Sequence, residues 1–503
     1  MFTRHNVRAA DLVNRPLLPV ESGDTRHSRA LDLMTQSSST PHRFDRSIVE
    51  GPITRAVWKL AWPTMLQNVI GGLQGIIDHV MVGHYVGFVG NAAIGVSLQI
   101  FLVVVVFVSS LYMGMGVLVA RFTGANESDK VNRTVYQAFL TSIVLACFIL
   151  APLGYWLSPW LLDLIKAAPE VKAEALPFLR TMLVFSVGLL IFFMLGGALR
   201  AAGDARTPLR LGVLITVLTI ALNIVFIRGL GPIPAFGTLG AALGSVIASG
   251  VAAAIGIWLL FSGQLVVRFS RGMRWSPDWA IIRSLFRFGL PTGFQGVAMN
   301  IGGVLMLRFI GSLDKSAEAQ AAFAVCYTEL FSLITWTASG LMGATAAVAG
   351  QNLGAGKPER TIQGVHAASR LGLSVAATLG LLFLLAPRLL LGIFGMEDPT
   401  VLAIGAQLLR FLSVSGLFIT VALTYTGGLQ GTGDTRSPLY ITLVSQLALP
   451  IGVCAGLQAA RGLTTTDIWI AIVLGHFARA VLSTIRFRQG KWRHIKVDID
   501  AHC

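Results

Sequence analysis

Two carboxylic acids, Asp78 and Glu329, stand inside long apolar runs of this 503-residue chain. An acid withdrawn from water is costly, and what it gains there is the ability to take up a proton or to hold a cation near neutral pH. Asp78 follows Lys59 by 19 residues, about 28 Å of helix at the α-helical rise, which places it in the half of a bilayer remote from Lys59. The alternative is a boundary acid facing outer water. Glu329 has two prospective partners, a cationic solute or Arg308 in the preceding apolar run. His79, adjacent to Asp78, and His476, in the last apolar run, are placed to relay protons. A lone helical histidine is more often simply hydrogen-bonded. Met194, Met299, Met306, Phe331, Trp336 and Met342 offer thioethers and ring faces that suit flat cations, and residues of these types also pack ordinary helices. Enzyme chemistry is missing its parts: there is no nucleophile motif, no His/Asp cluster and no Gly-x-x-x-x-Gly-Lys-[Ser/Thr] phosphate loop. Neither catalysis, direct ATP drive nor a cofactor is expected. The four cysteines, Cys147, Cys326, Cys454 and Cys503, show no metal or disulfide spacing.

The elements that carry these residues must be membrane helices. Hydrophobic residues make up 54% of the chain and charged ones 13%, with a mean hydropathy of +0.71, whereas soluble domains run near a quarter charged. Apolar runs long enough to cross a hydrocarbon core recur twelve times, near 55–83, 93–120, 133–158, 178–200, 208–228, 238–262, 284–311, 318–349, 361–386, 404–430, 438–459 and 467–487. The fold class is therefore an all-α membrane protein of twelve transmembrane helices. The net charge of +15 sits in short clusters between the runs, so nucleic acid is not an expected partner. Basic residues concentrate in the even-numbered connections, at Arg121, Lys130 and Arg133, at Arg200, Arg206 and Arg210, at Arg268, Arg271, Arg274 and Arg283, at Lys357 and Arg360, and at Arg436. Lys166 and Lys172 are the main exception on the other side. By the positive-inside rule both termini face the cytoplasm, in an inner or plasma membrane. Residues 1–50, rich in Arg and Ser and lacking an apolar core, read as a disordered tail in place of a signal peptide, and their acids argue against an organellar transit peptide. Residues 491–503 form a short basic tail on the same side.

The chain also repeats itself. Leu199-Arg-Ala-Ala-Gly-Asp-Ala-Arg-Thr-Pro-Leu209 recurs as Leu429-Gln-Gly-Thr-Gly-Asp-Thr-Arg-Ser-Pro-Leu439, with six of eleven positions identical at an offset of 230. Gly124-Ala125 meets Gly354-Ala355 at the same offset, and Arg55, Pro63, Thr64, Gln67, Gly75 and Gly83 meet Arg283, Pro291, Thr292, Gln295, Gly303 and Gly311 at 228. A duplication is the economical account. It divides the chain into an amino-terminal lobe, 51–265, and a carboxy-terminal lobe, 266–490. Six spans per copy is an even number, so the lobes are related by a pseudo-two-fold axis along the membrane normal, and a solute should bind between them. Within each repeated loop Gly203 and Gly433 end a helix, Asp204 and Asp434 favour the turn, and Pro208 and Pro438 open the next helix. Arg206 and Arg436 belong at the headgroup level. These loops read as turn and orientation signals, with a hinge as the functional variant, and Pro63 and Pro291 are bending points of the same kind.

Pro63 followed fifteen residues later by Asp78 and then by Val82-Gly83, the paired Gly-Asp-x-Arg-[Thr/Ser]-Pro loops, and Gly350-Gln351-Asn352-Leu353-Gly354-Ala355-Gly356 together resemble the multidrug and toxic compound extrusion (MATE) family over roughly 50–490. The resemblance implies a two-lobed twelve-helix antiporter that exports mostly cationic, lipophilic compounds in exchange for protons or sodium. It implies that Asp78 is the coupling carboxylate, with Asn223 on the fifth helix and Ser245 on the sixth as oxygen-bearing neighbours. Two departures bear on the ion: the family's acid four residues after the Asn is Ile227 here, and the usual fourth-helix Asn is a glycine. Fewer oxygens favour protons over sodium. The repeat mate of Asp78 is Met306, an inequality that resembles the DinF-like branch. Glu329, Met306, Trp336 and Met299 are the residues expected to meet substrate. Small molecules and lipid are the expected partners, and the protein is expected to be a monomer. A rival of related architecture carrying lipid-linked saccharides would favour a large basic cavity and often two further helices.

Overall fold

The computed structural model describes residues 44–165, 167–269, 273, 275–497 and 499, with the side chains of 102–109 excepted. Lys166, Arg271, Arg274 and most of the amino-terminal tail lie outside the described residues. In hydrocarbon a backbone must satisfy its own polar groups, so apolar runs of this length become helices. Twelve long helices follow one another: α1 (Ile53–Tyr85), α2 (Phe88–Gly124), α3 (Ser128–Leu164), α4 (Pro169–Val184 with Val187–Ala201), α5 (Arg206–Arg228), α6 (Thr238–Ser262), α7 (Trp279–Gly311), α8 (Ser316–Gly354), α9 (Pro358–Leu385), α10 (Pro399–Gly431), α11 (Arg436–Arg461) and α12 (Thr465–Arg488). The two parts of α4 meet at a 50° bend. Helices α3, α8 and α11 each contain a wide π-helical turn, at Leu145–Leu150, Ala324–Leu330 and Leu443–Ala448.

The repeated loops fold alike. Gly203 and Gly433 take φ of +102° and +98°, a region open to glycine and strained for other residues. Asp204 Oδ1 then accepts from the backbone N–H groups of Arg206 and Thr207 at 3.0 and 3.1 Å, which supplies donors at the start of α5 with an acceptor. Asp434 accepts from Ser437 N and Oγ at 3.2 and 2.8 Å, and additionally from Arg486 Nε at 3.0 Å. Pro208 and Pro438 are buried near the starts of α5 and α11, while Arg206 and Arg436 are exposed. Pro63 lies inside α1 and Pro291 inside α7.

Helices α1–α6 and α7–α12 each enclose apolar cores, and the halves meet crosswise, α1 on α8 and α2 on both α7 and α8. At the terminal face, where the described residues begin and end, the ends of α2 and α8 touch through glycines. A Cβ on Gly124 would stand 1.9 Å from the Gln351 carbonyl oxygen, and one on Gly354 would stand 2.1 Å from that of Arg121. Gly124 and Gly354 are repeat mates, and so are Arg121 and Gln351, so the contact is its own image under the pseudo-two-fold. This terminal face is closed.

Two segments strap it. The disorder read over 1–50 does not hold for residues 44–50, because Phe44, Ile48 and Val49 are buried and Ser47–Glu50 is helical. Ile48 packs with α1 and α8, and the carbonyls of Ile48 and Gly51 accept from Arg360 Nη2 at 3.4 and 2.7 Å. The carboxy-terminal segment crosses the other way: Ile495 O accepts from Arg121 Nη2 at 3.2 Å, and Ile495, Val497 and Ile499 pack against the core formed by α2 and the start of α7.

Candidate functional site

Asp78 sits two turns before the end of α1 and is half-buried. Its Oδ1 accepts from Asn223 Nδ2 of α5 at 2.8 Å. Asn223 is fully buried, and its own Oδ1 has no hydrogen-bond partner. Gly244 of α6 makes this possible: a Cβ there would stand 2.0 Å from Asn223 Oδ1, so only a glycine leaves room for the amide. One carboxylate and one orphaned amide oxygen thus come together where α1, α5 and α6 meet. Ser245 is half-buried one position further along α6 and makes no hydrogen bond to either residue. Ile227 is buried in the apolar cluster beneath. His79 bonds Asn91 Oδ1 through Nδ1 at 2.5 Å, tying α1 to α2, and Thr216 of α5 donates to Gln74 Oε1 at 2.8 Å one turn from Asp78.

The carboxy-terminal half holds a different kind of site. A cavity of about 490 Å3 is bounded by α7, α8, α10 and α12, and Thr292, Gln295, Met299, Tyr327, Phe331, Met342, His476 and Arg479 are among its walls. A neighbouring space of about 380 Å3 shares Met299, Tyr327 and His476 and adds Met306 and Gln446. Aromatic rings form one wall: Tyr327 stacks on Phe323 at 4.7 Å and tilts against Phe331 at 5.4 Å, and Phe331 stacks on the His476 ring at 5.8 Å. His476 is fixed by Ser415 Oγ, 2.5 Å from Nδ1. Gln430 Nε2 donates to Gln295 Oε1 at 3.1 Å, and Gln295 Nε2 to Thr442 Oγ1 at 3.0 Å.

Of the residues expected to meet substrate, Met299 and Met306 line this space. Trp336 of α8 packs instead against α1, its ring against Gly72 and its carbonyl accepting from Asn68 Nδ2 at 3.3 Å. Glu329 is half-buried and is not a lining residue, and Arg308 is exposed with no ion pair between them. Met194 is buried in the amino-terminal core. Arg479 is the lining residue that sequence reasoning passed over. Its signal was a lone cation within the apolar stretch Ala478–Leu482 of the last span.

A family model described as MatE matches the chain twice, over residues 63–225 and 291–455. The chain belongs to the MatE family. Each match covers the equivalent part of one repeat, so the duplication read from the paired loops is a duplication of this family's unit. Among curated relatives, this MatE protein is 28% identical over 445 residues to the probable multidrug resistance protein NorM of Thermotoga maritima, covering 88% of the present chain and 93% of that one. It is 28% identical over 457 residues to the multidrug resistance protein PmpM of Pseudomonas aeruginosa, covering 87% and 91% of the two chains. A solved structure described as the outward-facing conformation of a multidrug resistance MATE family transporter superposes with a TM-score of 0.82 at 21% identity, covering 92% of this chain and all of that one. The fold is thus the two-lobed, twelve-helix architecture of that family, and the protein is a membrane transporter of the multidrug efflux type, with small-molecule substrates and no enzymatic activity.

Proposed function

We propose that this MatE protein is a secondary antiporter that exports lipophilic, mostly cationic compounds by alternating access, with Asp78 carrying the coupling proton and the carboxy-terminal cavity receiving the cargo. The observation that carries the coupling role is the Asp78–Asn223 pair, a half-buried acid inside the span held at 2.8 Å by a fully buried amide whose own oxygen is orphaned. Asn223 and Asp78 offer few oxygens, Ser245 adds no bond, and Ile227, one turn after Asn223, is a buried apolar side chain. A hard metal cation collects several oxygens, whereas a proton needs only the carboxylate. Methionine and aromatic walls support lipophilic cargo, and the ring faces attract positive charge with no acid among the described lining residues. On the positive-inside argument the closed terminal face is cytoplasmic, in an inner or plasma membrane.

The test is efflux from proteoliposomes with proton and sodium gradients imposed independently. A pH gradient, acidic on the face opposite the termini, is expected to drive export without sodium, and Asp78→Asn is expected to remove that drive while leaving a folded, inserted protein. Transport that needs sodium under a full pH gradient, or full export by Asp78→Asn, would overturn the reading.

A further inference from the structure

Arg479 sits fourteen residues into α12, near the middle of the span, and is 1% exposed. A guanidinium at that depth is retained where something meets its charge. Among the described residues no carboxylate does: its side-chain contact is Met299 Sδ at 3.8 Å, its Nε has no partner, and the titratable groups that face it are the Tyr327 phenol and the His476 ring, neither of them an acid that carries charge near neutral pH. Arg200 shows the contrast. That half-buried guanidinium is satisfied by Gln67 Oε1 at 2.8 Å and Tyr112 Oη at 3.0 Å. Arg479 instead forms part of the cavity wall, and none of the described residues lining the cavity or the space beside it is an Asp or Glu. A second donor is stranded in the neighbouring space, where Gln446 Nε2 is also buried without a partner. Around these polar groups the walls are thioethers and stacked rings.

An unpaired buried cation at the wall of a roomy apolar cavity is half of an ion pair. We propose that Arg479 is a recognition residue for an anionic group, and that the carboxy-terminal cavity takes lipophilic compounds carrying a carboxylate, zwitterions included, whose apolar body lies against Met299, Met306 and Phe331. This rests on the reading of that cavity as the cargo site and departs from its mostly cationic cargo: a compound bound here carries an acid, with or without a cationic end. In a zwitterion the cationic end meets the ring faces and the acid meets Arg479.

The experiment measures binding, so it is independent of coupling. Pyrenebutyric acid and its methyl ester share one apolar body and differ in charge, and both are titrated into the purified full chain in nanodiscs of zwitterionic lipid. The wild type is expected to prefer the acid over the ester by roughly tenfold or more, in line with a buried charge-assisted contact. Arg479→Gln is expected to bring the ratio close to one, and Arg479→Lys to keep part of it. Equal affinity of wild type for acid and ester overturns the proposal even if the variants do not fold. Adding phosphatidylglycerol to the nanodiscs separates cargo from lipid: unchanged affinity supports a cargo site, and competitive loss of pyrenebutyrate reassigns the anion to a lipid headgroup and overturns it. Asp78→Asn should leave the preference intact, so a failure of proton coupling and a failure of this assignment give different results.

Discussion

At the scale of single residues, the Asp78 site depends on an atom that is absent. Gly244 leaves the space into which Asn223 Oδ1 projects, with only 2.0 Å available where a Cβ would go. Gly244→Ala must therefore displace Asn223 and, through it, the partner of Asp78. Proton-driven export is expected to fall by roughly tenfold, the equivalent of about 1.4 kcal/mol of misplacement, with the acid itself untouched. Unchanged export by Gly244→Ala in the reconstituted assay would separate Asn223 from coupling. Asp78 was legible in the sequence because an acid in an apolar run is conspicuous and its surroundings resemble a family. Arg479 is as conspicuous by type and was missed, because basic residues were weighed as orientation signals between spans, where most of them lie. The Glu329–Arg308 alternative failed for a different reason. Two residues on neighbouring helices pair only if their depth and angular position agree, and a single sequence does not fix the rotation of α7 against α8.

At the scale of elements, the twelve helices were legible as apolar runs, and among the described residues length and hydropathy alone qualify nine of them as spans, ten with the two parts of α4 counted as one. The 50° bend of α4 and the three π-helical turns were not. Such distortions answer to packing partners rather than to local propensity. The repeat at 230 identified Gly124 and Gly354 as mates and could not show that they face each other across the pseudo-axis. Their approach makes α2 and α8 a latch on the terminal face. Gly124→Ala and Gly354→Ala each place a methyl carbon against a backbone carbonyl at about 2 Å, and overpacking of this kind costs about 1–3 kcal/mol. Since the cost falls only on the closed arrangement, each variant should shift the protein toward the state open on this face. The measurement is labelling of Ala347→Cys, buried in the gap between the halves, by a membrane-impermeant maleimide in a background with Cys147 and Cys503 changed to serine. Faster labelling in the glycine variants is expected. An unchanged rate would mean that the helix ends separate without using this contact.

At the scale of the whole molecule, the two straps make the chain's ends part of the conformational equilibrium. The segment before α1 packs on α1 and reaches across to α8 and α9, and the segment after α12 is anchored by Trp492 on its own half and reaches across to the amino-terminal core, so each tail bridges the two halves. Both contacts exist only while the terminal face is closed, and a transporter that alternates must break them once per cycle. Trp492, 1% exposed and stacked on Phe487 at 5.1 Å, anchors the carboxy-terminal strap, with its Nε1 donating to Phe487 O at 2.8 Å. Truncating a buried tryptophan to alanine costs about 3–5 kcal/mol. On the amino-terminal strap, burial pushes the Asp45 carboxyl up, but hydrogen bonds from Lys59 and Ser47 outweigh it and hold the group below the usual carboxylate range. A depressed pKa means that this contact contributes fully above the unfolded value near pH 4 and is lost as pH falls through the folded value. The charges are partly exposed, so the effect is modest. Trp492→Ala is therefore expected to speed labelling of Ala347→Cys at neutral pH. The wild type should show a smaller acceleration only below about pH 4, and Asp45→Asn should show that acceleration already at neutral pH. If Trp492→Ala lowers thermal stability yet leaves labelling unchanged, the strap holds its own half together and takes no part in closing the terminal face.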